Sequence, residues 1–203
     1  METLSVVVVL IVAYLLGAIP FAFLIGMKFR GVDIRQHGSG NLGATNGIRV
    51  LGPKLGLSAG ILDAIKGLLP VALAQLVASV YFDGTFPINV LWVGFVAALG
   101  HCYPVYVGFR GGKAVATSIG VYLYLFPLQT VVAFLLSLGI VKLTKFVSVA
   151  SSLFSVMFVI YGLVTNIGID TLLPMISIMV LILWRHRSNY QRILNGNENR
   201  AKI

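Results

Sequence analysis

AVATSIGVYLYLFPLQTVVAFLLSLGIV, residues 114–141, is the stretch on which the fold turns. It holds no formal charge, and Pro127 interrupts it near the middle. An unbroken helix of this length crosses a bilayer once. A break at Phe126-Pro127 makes two short helices folded back on each other, since proline lacks the N–H that a helix interior needs. The flanking charges choose between these, because lysine and arginine collect in the cytoplasmic loops of membrane proteins. A single crossing sets Lys142 and Lys145 opposite the other basic loops; a hairpin sets them all on one side. The hairpin is therefore expected. Residues 114–125 would then rise only about 18 Å at helical pitch, short of a hydrocarbon core of about 30 Å. Such a helix needs tilt or shielding by its neighbours.

Composition makes lipid the solvent. Of the 203 residues, 58% are hydrophobic and 10% charged, and the mean hydropathy is +0.96; a soluble domain carries about a quarter charged residues. Apolar runs cover residues 4–27, with Pro20 near the end, 55–80, 88–107, 146–162 and 171–184; the last is short, so its helix is expected to start a little earlier. Polar loops fall at 28–54, 81–87, 108–113 and 165–170, and a basic tail at 185–203. The first run lacks a basic n-region and is too long for the apolar part of a signal peptide, so it is expected to stay as a span. The expectation is an all-α polytopic membrane protein forming one membrane-embedded domain over residues 1–203. It has about seven membrane-embedded helices, the N-terminus outside and the basic loops cytoplasmic. The turns near Asp83, Pro127 and Asp170 hold no lysine or arginine. The lone Cys102 excludes an intrachain disulfide and a CxxC-type zinc site. No metal-ligand cluster is visible, and no metal, cofactor or nucleic acid is expected.

Three polar segments carry the chemistry. The first is Gly38-Ser39-Gly40-Asn41-Leu42-Gly43-Ala44-Thr45-Asn46-Gly47-Ile48-Arg49. Its Gly-x-Gly-x-x-Gly pattern matches a dinucleotide fingerprint, but it follows a membrane helix rather than a strand. Glycines let successive N–H groups turn toward one anion. Ser39, Asn41, Thr45 and Asn46 add short donors, and Arg49 adds a planar fork suited to phosphate. The second runs from Gly100-His101-Cys102-Tyr103-Pro104 to Phe109-Arg110-Gly111-Gly112-Lys113-Ala114-Val115-Ala116-Thr117. Gly111, Gly112 and Lys113 stand before a helix whose N-terminus attracts anions. Val107 and Ala114 occupy positions where a Walker A loop needs Gly and Ser or Thr, so nucleotide hydrolysis is not expected. The third is Arg185-His186-Arg187-Ser188-Asn189-Tyr190-Gln191-Arg192, reaching Gly196-Asn197-Glu198. A continued helix would put His186 and Asn189 on one face. Arg187, Arg200 and Lys202 suit anionic lipid. Asp63 and Lys66, three apart within a span, are expected to pair or to line a polar cavity. His101 at a span end reads equally as a structural hydrogen-bonder.

Taken in order, these strings resemble the bacterial acyl-phosphate:glycerol-3-phosphate acyltransferases, an integral membrane family. Ser39 to Asn46 with Arg49, Asp63-Ala64-Ile65-Lys66-Gly67, Gly100-His101, Phe109 to Thr117, and His186-Arg187-Ser188-Asn189 with Arg192 and Gly196-Asn197-Glu198 carry the likeness. Ala114 departs from it, since the family usually has glycine there. The resemblance implies transfer of a fatty acyl group from acyl phosphate to the 1-hydroxyl of glycerol 3-phosphate, the first acylation in phospholipid synthesis. It makes glycerol 3-phosphate, long-chain acyl phosphate and membrane lipid the expected partners. Ser39, Arg49, Lys113, His186 and Asn189 are the expected catalytic residues. Gly40, Asn41, Thr45, Asn46, Lys66, His101, Gly111, Gly112 and Thr117 are the expected substrate-binding residues. No aspartate stands in a His-x4-Asp register after any of the three histidines, and Ser39 has no assignable triad partner. Catalysis by positioning and charge stabilisation is expected, with a substrate phosphate oxygen or His186 taking the hydroxyl proton. A transporter of organic phosphates is the rival from another class, and a lipid-gripping scaffold is a second.

Overall fold

A computed structural model describes residues 2–201, so Lys202 lies outside the described residues. All regular structure among the described residues is helical. Contacts divide the chain into two compact units, Met1–Tyr124 and Leu125–Ile203.

In the first unit, α1 (Glu2–Ala18) and α2 (Phe21–Arg30) form one apolar span interrupted at Ile19-Pro20. The missing proline N–H breaks the hydrogen-bond ladder there. The stretch expected as a continuous polar loop, 28–54, instead contains a helix. After a short turn at Ile34–Gln36, α3 (Ala44–Leu51) packs on α2 and on the long α4 (Pro53–Tyr81). Its sequence ATNGIRVL hides it, because Gly, Asn and Thr are weak helix formers. What holds α3 is packing: Gly56 leaves no room for a Cβ against the backbone of Gly47 and Ile48. A turn at the far end leads to α5 (Val90–Cys102), started by Asn89, whose side chain accepts the Leu91 N–H at 3.0 Å. The unit ends with α6 (Val115–Leu125).

Small residues set these contacts, as they do where lipid gives helices no hydrophobic reason to associate. Gly17 lies flush against Ala97 of α5, Gly67 of α4 against Thr117 of α6, and Gly120 of α6 against Ala64 of α4. Each would drive a Cβ into neighbouring backbone. Because α1–α2, α4 and α5 alternate in direction, the 31–52 and 103–114 segments lie at the same end of this unit.

The second unit holds α7 (Pro127–Thr144), α8 (Val147–Val164), α9 (Ile169–Arg185) and α10 (Arg187–Leu194). The uncharged stretch is two helices: α6 stops at Leu125 and Pro127 opens α7 in the first turn, where its missing N–H costs nothing. The final span starts at Ile169, and the chain does not continue straight past it. It bends by 48° at His186, which ends α9 and begins α10.

Among the described residues, five helical segments are long and apolar enough to cross a membrane: Glu2–Arg30, Pro53–Tyr81, Val90–Val107, Pro127–Thr144 and Val147–Val164. The bent α9–α10 pair makes a sixth at most, and α6 is a shorter apolar helix. Large apolar side chains such as Leu57, Ile61, Leu128 and Leu135 stand exposed along these segments, as a lipid-facing surface requires.

Candidate active site

At the shared end of the first unit, Asn46 organises the first loop. Its amide oxygen accepts the Ser39 N–H at 2.9 Å, and its amide nitrogen donates to the carbonyls of Ile34 and His37 at 3.1 and 3.2 Å. The side chain is buried and wholly committed to backbone. Asn41 accepts the Gly43 N–H at 2.9 Å, and the Gly40 N–H goes to the His37 carbonyl at 3.0 Å. Gly38 and Gly40 have φ of 62° and 68°, the left-handed region that glycine enters freely. The sequence pattern suggested backbone N–H groups turned toward an anion; in the structure those of Ser39, Gly40 and Gly43 close the loop on itself. What remains at the surface is the Ser39 side chain, then Thr45 and Arg49 one helical turn apart on α3, all exposed. Beside them Arg35 pairs with Asp33 at 2.7 Å and lies over the Phe23 ring at 4.6 Å. The Arg35 hydrogen bond holds the Asp33 carboxyl below its ordinary value, outweighing desolvation.

Under this loop Ala18, Pro20, Leu42, Lys66, His101 and Pro104 meet around a space too small to admit a water molecule. Lys66 is buried with its ammonium 2.8 Å from Asp63 and 2.6 Å from the Ile19 carbonyl, at the helix break. It also sits 5.6 Å from the centre of the Phe21 ring. Nδ1 of His101 is 3.6 Å from the same Asp63 oxygen. Pairing with Asp63 was one of the two roles the sequence suggested for Lys66; the carbonyl 47 residues away was not legible.

The second loop is fastened to the end of α5. Gly111 donates to the Cys102 carbonyl at 3.2 Å and Gly112 to that of His101 at 3.0 Å. A Cβ on Gly112 would enter the His101 ring. These glycines therefore supply close approach, while Arg110, exposed, and Lys113, half-buried, supply the cations. Thr117 is fully buried in the α4–α6 contact.

In the second unit, Nδ1 of buried His186 donates to the Ile182 carbonyl at 2.8 Å, which leaves the lone pair of the neutral ring on Nε2. Asn189 donates to Glu198 at 2.6 Å, Arg192 at 2.8 Å and Ser148 at 3.1 Å. Glu198 thus ties the tail to α10 and α8. Burial pushes its carboxyl up, but the bonds from Asn189 and Arg192 outweigh this and hold it below its ordinary value. The sequence reading missed Ser148, which has no motif around it, and the Ser152–Tyr190 hydroxyl contact at 2.5 Å.

Apolar helices with a buried ion pair beneath glycine-rich, cation-bearing loops define a polytopic integral membrane protein with its polar chemistry at the ends of its helices. Residues 7–196 match the family model "Glycerol-3-phosphate acyltransferase", and the chain belongs to that family. Curated relatives of that name include one from Geobacillus kaustophilus, 41% identical over 96% of this chain and 95% of its own. One from Fusobacterium nucleatum is 38% identical over 96% and 97%. Among solved structures, the chain is similar to the integral membrane glycerol 3-phosphate acyltransferase PlsY in its glycerol 3-phosphate form, with a TM-score of 0.87 and 38% identity. That match covers 97% of this chain and 95% of the other; the lysophosphatidic acid form matches with a TM-score of 0.85.

Proposed function

We propose that this chain transfers a fatty acyl group from acyl phosphate to the 1-hydroxyl of glycerol 3-phosphate, at the cytoplasmic face of a bacterial inner membrane. The observation that carries the reading is membership of an acyltransferase family over nearly the whole chain, together with two cation-bearing loops at one end of the first unit. Both substrates bear phosphate, and the acyl tail is soluble in the lipid around the helices.

The hydroxyl oxygen attacks the acyl carbonyl carbon. The bond from that carbon to the phosphate oxygen breaks, and inorganic phosphate leaves with lysophosphatidic acid as the other product. A phosphate oxygen accepts the hydroxyl proton, so no strong protein base is required. Ser39, Thr45 and Arg49 contact one phosphate, and Lys113, with Arg110 beside it, contacts the other. Asn41, Asn46, Gly111 and Gly112 hold these groups in place through the loop bonds described. His186 and Asn189 orient glycerol 3-phosphate. Charge stabilisation by preorganised donors supplies the rate. Seven membrane-embedded helices with the N-terminus outside put the lysines and arginines at or near the cytoplasmic side.

The test is purified protein given glycerol 3-phosphate with either acyl phosphate or acyl-CoA, with lysophosphatidic acid measured. Product with acyl phosphate alone is expected. Product with acyl-CoA alone overturns the donor assignment, and uptake of unchanged substrate into sealed vesicles without product favours a transporter.

A further inference from the structure

We infer that Asp63 is a positioning residue that, through Lys66 and His101, sets the place of the Gly111-Gly112-Lys113 loop; the inference rests on the acyltransferase reading above. Asp63 stands at the meeting point of three chain segments. One of its oxygens is 2.8 Å from the Lys66 ammonium, which donates in turn to the Ile19 carbonyl at the break before Pro20. The same oxygen is 3.6 Å from Nδ1 of His101. The side chains of Asp63, Lys66 and His101 are 1%, 4% and 5% exposed, so this is an interior cluster and not a surface pair.

From His101 the hold passes directly to the loop. Gly112 lies against the imidazole so closely that a Cβ would enter the ring, and its N–H is bonded to the His101 carbonyl. Gly111 is held against the neighbouring Cys102 carbonyl. Rotation of the imidazole therefore displaces Gly112, and with it Lys113 one residue on. The Asp63 carboxylate faces this ring at 3.6 Å, from a helix that is itself fastened to the α1–α2 break by Lys66.

Stability alone is a poor reason for such a cluster. A buried ion pair is commonly no better than apolar residues of the same volume, and charge inside an apolar span is costly. What an ion pair adds is a fixed arrangement, here at the base of a loop that carries a phosphate-binding lysine. Lys66 acts from inside the cluster, with two of its N–H directions already engaged.

Kinetics of folded protein separate positioning from simple support. In Asp63→Asn protein that elutes as a single species, the KM for one phosphate substrate is expected to rise tenfold or more, while that for the other stays within twofold. Gly112→Ala, which drives a methyl into the His101 ring, is expected to raise the KM for the same substrate. The double variant should lose little beyond the worse single one, because both changes act through one loop. Unchanged KM values in folded Asp63→Asn, effects on different substrates, or multiplicative losses overturn the inference. Should Asp63→Asn not fold, His101→Asn keeps the Asp63–Lys66 pair and removes the ring; a normal KM for both substrates in that variant also overturns it. Failure of the unmodified protein to make lysophosphatidic acid refutes the acyltransferase reading and the inference together, whereas normal product with unaltered variants refutes the inference alone.

Discussion

Asn46 reaches back along the chain to accept the Ser39 N–H at 2.9 Å, and both of its donated bonds end on carbonyls of the same loop. The serine is thus held by a residue on the buried face of α3, while Thr45 and Arg49 occupy the exposed face. Asn46→Ala strands the Ser39 N–H and takes one donor from each of two carbonyls, which keep the N–H groups of His37 and Gly40. It is expected to cost about 1–3 kcal/mol of stability and to reduce turnover by on the order of 10²-fold, the scale of a misplacement of about 1 Å. Thermal unfolding in detergent and product formation measure the two effects, and full activity in folded protein would contradict the role given to the loop.

Ala114 has φ 61° and is fully buried just before α6. A left-handed alanine costs roughly 1–2 kcal/mol relative to the right-handed region, and glycine removes that cost. Ala114→Gly should raise the melting temperature, with a gain of about 1 kcal/mol after glycine's extra unfolded-state freedom is subtracted. A lower melting temperature would show that the methyl's packing outweighs the strain.

His186 donates from Nδ1 to the Ile182 carbonyl, so its Nε2 has the lone pair that a base requires. The substrate-phosphate mechanism expects His186→Ala to raise the KM for glycerol 3-phosphate and to lower kcat only a few-fold. A loss of about 10²–10⁴ in kcat at saturating substrate, with KM unmoved, would identify His186 as the general base instead.

Glu198 is held below its ordinary carboxyl value of 4.5 by Asn189 and Arg192. A carboxylate whose folded value is depressed contributes stability that is present above the unfolded value and lost as pH falls through the folded one. The melting temperature of the unmodified protein should therefore decline below about pH 4.5. Glu198→Gln should melt lower at neutral pH, and the gap between the two should narrow as the medium is acidified. A gap that does not change with pH would mean that the carboxylate's charge contributes nothing.

Several features were legible because they depend only on local composition. Pro70 and Pro174 lie inside α4 and α9, so a proline alone does not divide a span; the division at Pro127 was legible because Lys142 and Lys145 follow it. The polar strings around Ser39, Lys113 and His186 stand out because the rest of the chain is so apolar. Helix α3 was not legible: Thr45, Asn46 and Gly47 give it little intrinsic preference, and it forms because Gly47 and Gly56 let it settle on α4. The bend at His186 was hidden for the opposite reason, since the residues on either side are good enough helix formers to suggest a straight continuation.

The sequence by itself determined that this is a helical membrane protein, where its apolar runs end, and which residue types gather in its polar segments; hydropathy and charge are sums over neighbours in the chain. Only the tertiary structure decided that Lys66 is tied to the Ile19 carbonyl, that Gly112 must lie against His101, and that the N–H groups of Ser39, Gly40, Gly43, Gly111 and Gly112 are spent inside the protein. Hydrogen-bond partners are chosen by distance in space, and the spacing of residues along a chain does not encode which carbonyl will stand within 3 Å of a buried donor.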